Sequence, residues 1–161
     1  KLHPEYQEFR PDDPALLPFF AAIRDSGLLV AFHCGEDISY KPPARCTPAS
    51  IAFLLESLPG ILIFATHMGG FRLWDDSETW LIGRPVWMDT SFSLGWMPDE
   101  KLKKMIAAHG QDYVMFGSDS PWQGQPEELE RLRKFGFSSG TLERIAHGNA
   151  SQLLQLLKER F

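Results

Sequence analysis

Five residues whose side chains bind metals or transfer protons recur at regular intervals along this chain. They are His3, His33, His67, Asp89 and Asp119, and successive members lie 30, 34, 22 and 30 residues apart. Imidazole nitrogens and carboxylate oxygens are ligands of Zn²⁺ and related ions, and both groups act as general acids or bases. A strand–helix unit takes about 30 residues, so the intervals predict one such residue in each of several successive units.

Each of the five residues lies in or directly after a short apolar run that is typical of a buried strand. The runs are KLHP (1–4), GLLVAFHCG (27–35), ILIFATHMGG (61–70), PVWMDTSF (85–92) and DYVMFGSDSPW (112–122). In parallel α/β folds the carboxyl ends of the strands form one face, and ligands bind there. We therefore expect the five side chains to meet at one face.

Amphipathic segments between the runs predict helices, so strand and helix alternate throughout. Thr47 is expected to cap a helix that Pro48 opens, and Asn149 is expected to cap the last helix, which runs to residue 161. His109 and His147 each lie near the end of a helical stretch and are expected to serve structure. The alternation predicts a single α/β domain over residues 1–161, with parallel strands covered by helices.

The composition narrows the classes of partner. The chain is 43% hydrophobic and 23% charged, with a formal net charge of −5 and no run of 18 apolar residues. This balance predicts no nucleic-acid partner and no membrane span, and it leaves a small molecule as the expected ligand. The two cysteines, Cys34 and Cys46, are expected to be reduced thiols in a cytoplasmic protein.

The motifs KLHP, FHCGE, THMGG, WMDTSF and FGSDSPW, in this order, resemble the amidohydrolase-related metal-dependent hydrolases. That group includes the aminocarboxymuconate-semialdehyde decarboxylase-like enzymes, and HGNASQLL resembles its last-helix pattern. The resemblance covers essentially the whole chain and implies a (β/α)8 TIM barrel. In that register the chain supplies parallel strands four to eight with their helices. Strands one to three, and the His-x-His of strand one, are absent from it, so an N-terminal segment or a homo-oligomer is expected to complete the barrel.

The resemblance also implies roles for individual residues. His33 corresponds to the metal-binding His of strand five, and Asp119 to the strand-eight Asp that binds the metal and takes a proton from its water. His67 corresponds to the strand-six His, a catalytic acid/base in some members and a metal ligand in others. Lys1 and His3 fall on strand four, where binuclear relatives carry a carbamylated Lys. The expected cofactor is a divalent metal, Zn²⁺, with Mn²⁺, Fe²⁺ and Co²⁺ as alternatives.

Residues near the strand ends suggest how a substrate would be held. Arg72, Trp74 and Trp122 combine cationic and aromatic side chains, which suit a small carboxylate or aromatic compound. Glu36 and Asp89 are candidate contacts to the substrate or to the ligands. The alternative is that the first three pack the barrel rim and that the two acids serve turns.

Three functions remain open. The first is a metal-dependent hydrolase of the amidohydrolase superfamily that attacks a small carbonyl or carboxylate compound with a metal-activated water. The second is a non-oxidative decarboxylase of a small carboxylic acid. The third is a truncated, non-catalytic half-barrel that self-associates through its open edges.

Overall fold

The computed structural model describes residues 1–160, so the end of the predicted domain and of the last helix, at residue 161, lies outside the described residues. Strands and helices alternate along this part of the chain, as predicted. The strands are β1 (Leu29–Phe32), β2 (Leu62–Ala65), β3 (Trp87–Asp89) and β4 (Val114–Met115). The helices are α1 (Leu17–Asp25), α2 (Pro48–Ser57), α3 (Trp74–Trp80), α4 (Asp99–His109), α5 (Gln125–Lys134), α6 (Ser139–Glu143) and α7 (Asn149–Lys158).

The four strands form one parallel sheet in the order β1-β2-β3-β4. The KLHP segment, predicted as a further strand, contributes a single parallel bridge between Leu2 and Phe32. There the Leu2 amide donates to the Ala31 carbonyl at 2.7 Å, and the Leu2 carbonyl accepts from the His33 amide at 3.0 Å. The bridge puts His3 beside His33 at the carboxyl end of the sheet.

Local sequence signals mark the beginning of α2 and of the turn that leads into α1. The Thr47 hydroxyl accepts from the Ser50 amide, the Ser50 hydroxyl accepts from the Thr47 amide, and Pro48 is the first helical residue of α2. Asp13 caps the 3₁₀ turn Pro14–Leu16 that leads into α1. The Thr47–Pro48 prediction is confirmed.

The predicted cap at Asn149 is wrong. Asn149 is buried, and its side-chain amide donates to the carbonyls of Gln111, at 2.6 Å, and Val114, at 2.7 Å. The helical path reaches α7 through α6 and the π-helical segment Arg144–Gly148, so no free helix start exists for Asn149 to cap. The side chain instead ties α7 to β4.

The core lies between the sheet and the helices, and α4 shows how the two meet. Four residues on one face of this helix are all buried, namely Leu102, Met105, Ile106 and His109. His109 accepts from the Gly83 amide through Nδ1 at 3.2 Å and donates through Nε2 to the Val86 carbonyl at 2.8 Å. Burial lowers the pKa of His109, so a neutral imidazole fastens α4 to the turn before β3.

Cys34 and Cys46 are buried free thiols. No helix within residues 1–160 combines the length and apolar character of a membrane-spanning segment.

Candidate metal and substrate site

The carboxyl ends of the strands open into a cavity of about 490 Å³ that contains most of the predicted site residues. Those that line it are Lys1, His3, His33, Glu36, His67, Asp119 and Trp122. Tyr6, Asp37, Ile38, Ser39, Phe71 and Phe92 complete the lining. Three predicted substrate contacts, Arg72, Trp74 and Asp89, are not among the lining residues.

The backbone at this face is strained. His67, Met68, Arg72, Phe92 and Asp119 all have left-handed φ angles, between 49° and 61°. Non-glycine residues in this region are destabilised by about 1–3 kcal/mol each and concentrate at functional sites. Within residues 1–160 only Glu8 shares this conformation elsewhere, so the strain belongs to the loops that follow the strands.

The imidazoles of His33 and His67 meet inside the cavity, with His33 Nδ1 and His67 Nε2 3.2 Å apart. His67 Nδ1 lies 3.2 Å from the Ser91 carbonyl, which can only accept, so Nδ1 carries the hydrogen. His33 Nε2 lies 3.2 Å from the Glu36 carbonyl and carries its hydrogen for the same reason. The two facing nitrogens are therefore both left with lone pairs.

His33 takes up no second proton at neutral pH. Burial lowers the pKa of His33 to about 3, and the neighbouring imidazole of His67 acts in the same direction. Neutral imidazole is the form that binds metals. Because Zn–N bonds are about 2.0–2.1 Å long, two nitrogens 3.2 Å apart can share one ion. The pair fits a divalent metal.

His3, His33 and Asp37 form a second group, in which the possible ligand atoms all lie within 4.8 Å of one another. The rings of His3 and His33 stack, however, with centroids 4.2 Å apart and planes 11° from parallel. Imidazole lone pairs lie in the ring plane, so the nitrogens of stacked rings do not converge on one ion. His3 Nε2 instead lies 3.3 Å from Asp37. Asp37 follows His33 by four residues in a loop, where no sequence pattern marked it.

Asp89 turns inward, under His67. It is buried, and its Oδ1 accepts from the His67 amide at 2.9 Å and from the Ser91 hydroxyl at 2.5 Å. The Oγ atom of Ser91 lies 2.8 Å from Nδ1 of His67. Ser91 was not among the residues predicted from the sequence. Asp89 thus contacts His67 from outside the cavity.

Arg72 and Trp74 support the cavity wall from behind. Arg72 lies 3.6 Å from Glu36 and above the Phe71 ring, 5.0 Å from its centroid. Trp74 donates through Nε1 to the His67 carbonyl at 3.2 Å. The aromatic lining comes instead from Phe71 and Phe92, whose centroids lie 6.2 and 5.8 Å from that of His67. Neither phenylalanine stood out in the sequence from ordinary core residues.

Lys1 adds a cation to the cavity. Burial lowers the pKa of its ammonium group, while Asp89 and Asp119 act in the opposite direction. Asp119 itself is exposed to the cavity rather than buried in the core. The site therefore combines two imidazoles, a solvent-accessible carboxylate and a cation within one cavity.

Comparisons with known proteins identify the family and the fold of the chain. A family model described as "Amidohydrolase" matches residues 1–156. An uncharacterized TIM-barrel protein from Bordetella bronchiseptica is 22% identical with a TM-score of 0.71, over 93% of this chain and 53% of that one. No curated protein matches the sequence.

Two further solved structures share the fold. A dihydroxybenzoic acid decarboxylase from Polaromonas sp. JS666, with bound manganese and an inhibitor, is 17% identical with a TM-score of 0.66, over 91% of this chain and 55% of that one. A putative 2-pyrone-4,6-dicarboxylic acid hydrolase from Pseudomonas putida is 22% identical with a TM-score of 0.63, over 90% of this chain and 60% of that one. The chain thus spans little more than half the length of these barrel proteins, and the prediction of a partial TIM barrel is confirmed.

Proposed function

Because the chain belongs to the amidohydrolase family, we propose that it carries the catalytic face of a metal-dependent hydrolase that acts on a small carbonyl compound with a carboxylate group. The observation that carries this proposal is the 3.2 Å separation of His33 Nδ1 and His67 Nε2 in the cavity. The carbonyl groups beside the other nitrogen of each ring assign a lone pair to both. Two unprotonated nitrogens at this distance repel each other unless a cation lies between them.

His33 Nδ1 and His67 Nε2 would hold the metal, with the carboxylate of Asp119 as the further ligand that this chain offers. Zn²⁺ or Mn²⁺ held there would polarise a carbonyl group and would lower the pKa of water. The exposed carboxylate of Asp119 would accept the proton of the attacking water, as a general base. The ammonium of Lys1, in the same cavity, pairs with the substrate carboxylate.

A decarboxylase is the second candidate, and the aromatic lining favours it. Phe71 and Phe92 lie edge-on to His67, with interplanar angles of 69° and 85°, and they leave an apolar wall against which a flat ring can pack. When the bond to the carboxylate carbon breaks, CO₂ leaves and the electron pair stays on the ring carbon. A proton from the acid form of Asp119 would complete the product.

The test uses the full-length protein, reconstituted with Zn²⁺ or Mn²⁺ and offered lactones, amides and aromatic acids that carry a carboxylate. Acid release reports hydrolysis, CO₂ release reports decarboxylation, and elemental analysis reports bound metal. We expect turnover, and we expect the double variant H33A/H67A to lose metal while H147A, at an exposed histidine outside the cavity, retains it. A metal-free wild-type protein that forms a stable dimer would refute the proposal and support the self-associating half-barrel.

A further inference from the structure

We infer that Asp89, acting through the hydroxyl of Ser91, is the positioning residue that directs the Nε2 lone pair of His67 into the cavity. The inference concerns the free protein, and it rests on the proposed function only for the identity of the ion that this lone pair would bind. Neither Asp89 nor Ser91 lines the cavity, so neither would touch a substrate.

One carboxylate oxygen organises the whole connection. Oδ1 of Asp89 accepts from the Ser91 amide at 3.1 Å, from the Ser91 hydroxyl at 2.5 Å and from the His67 amide at 2.9 Å. The last of these bonds holds the left-handed backbone of His67, whose φ is +61°. Asp89 therefore fixes the backbone of His67 directly and its ring through Ser91.

The direction of each hydrogen bond follows from the number of available protons. The Ser91 hydroxyl has one hydrogen, and the carboxylate of Asp89 can only accept it. The lone pairs of Ser91 Oγ are then free to accept from His67 Nδ1, at 2.8 Å. With its hydrogen held on Nδ1, the neutral ring has its lone pair on Nε2, which faces His33.

The hydroxyl is needed because the second acceptor of Nδ1 is weaker. The Ser91 carbonyl lies farther away, at 3.2 Å, and it also accepts from the Ser93 hydroxyl at 3.1 Å. Asp89, Ser91 and His67 are all buried, so water does not replace a lost partner. Without the hydroxyl, the ring can turn or move its hydrogen to Nε2.

The absence of a side chain at Gly117 leaves space for the carboxylate of Asp89. A Cβ atom at Gly117 would lie 2.9 Å from both Cγ and Oδ2 of Asp89, so the second residue after β4 has to be small. Gly117 donates through its amide to the Thr90 hydroxyl at 3.2 Å, which holds the two strand ends in this close approach. The position of Asp89 is therefore set by two neighbouring strands.

The experiment compares S91A with wild type in the full-length protein. In the metal-free state, ¹⁵N spectra of labelled histidine report the tautomer of His67, which H67A identifies by the loss of its signals. Titration with Zn²⁺ then gives the metal affinity. The conservative variant S91T keeps the hydroxyl. The matched control T66V removes a different buried hydroxyl, which donates to the Phe32 carbonyl at 3.0 Å.

We expect the wild type, S91T and T66V to show His67 protonated on Nδ1 alone. S91A should show a mixture of tautomers and bind Zn²⁺ about 10-fold to 100-fold more weakly, as for other residues that orient a metal ligand. A wild-type protein with the hydrogen on Nε2, or a folded S91A protein with wild-type tautomer and affinity, would overturn the inference. The tautomer spectra need neither metal nor turnover, so a protein that binds no metal would refute the proposed function without deciding the role of Asp89.

Discussion

Replacement of Gly35 by Ala should destabilise the protein strongly, because the backbone of this glycine packs directly against Phe71, where the loops after β1 and β2 are bridged. A Cβ atom there would lie 2.1 Å from the amide nitrogen and 2.4 Å from the carbonyl oxygen of Phe71, and the φ of Gly35 is +96°. The backbone bonds on either side, from Phe71 to the Cys34 carbonyl and from Glu36 to the Phe71 carbonyl, are both 2.9 Å long. In G35A the backbone around residue 35 therefore has to move away from Phe71.

The left-handed backbone alone should destabilise an alanine by about 1–2 kcal/mol, and the overpacking should add about 1–3 kcal/mol. Each lost backbone hydrogen bond adds about 1 kcal/mol, so we expect at least about 3 kcal/mol in total. Gly60 is the matched control, because its φ is +88° and no atom lies within 4 Å of its Cβ position. G60A should therefore show the backbone effect alone, about 1–2 kcal/mol.

Urea unfolding of the two variants and the wild type measures this difference in the free energy of unfolding. Since the strained contact lies between the loops that carry His33 and His67, G35A should also weaken metal binding, whereas G60A should not. A G35A protein that is no less stable than G60A would show that the Gly35–Phe71 approach is not required by the fold.

Three further substitutions test separate parts of the site and the core. D119N should retain the fold, because Asp119 is exposed, and should lower kcat at least about 100-fold; unchanged turnover in the substrate assay would show that another group is the base. Burial lowers the pKa of His109 below its ordinary 6.5, so the unfolded chain takes up a proton before the folded one does. Stability is then lost as the pH falls below 6.5, and urea midpoints at about pH 7 and pH 5 should differ less in H109Q than in wild type. W122A removes a side chain that is 76% exposed at the cavity mouth; it should change stability by no more than about 0.5 kcal/mol and raise KM, and an unchanged KM would exclude Trp122 from substrate binding.

The features that could be predicted from sequence are those that depend on local chemistry or on regular spacing. Thr47 and Pro48 mark a helix start through bonds within four residues. The positions of His33, His67 and Asp119 follow from the length of a strand–helix unit, since every parallel strand ends at the same face.

The contacts that sequence reasoning missed depend on loop conformation. Ser91 reaches His67 across 24 residues, and the link exists only because Asp89 holds both backbones. Asp37 lies close to His3 because a single-residue bridge, Leu2 to Phe32, places the first residues of the chain beside β1. A bridge of one residue is too short to be predicted as a strand. Asn149 appeared to be a cap because the π-helical segment before it has no sequence signature that distinguishes it from a helix end.

The left-handed residues at the strand ends limit how this protein can be made more heat-resistant. Glycine at His67 or Asp119 would relax the backbone, but it would remove the imidazole or the carboxylate that gives the position its chemistry. Substitutions selected for a higher melting temperature alone should therefore accumulate at these positions at the expense of catalysis. A protein engineer would do better to leave the loops after β2 and β4 unchanged and to seek added stability on the outer helices, where Leu154 and Trp80 remain exposed.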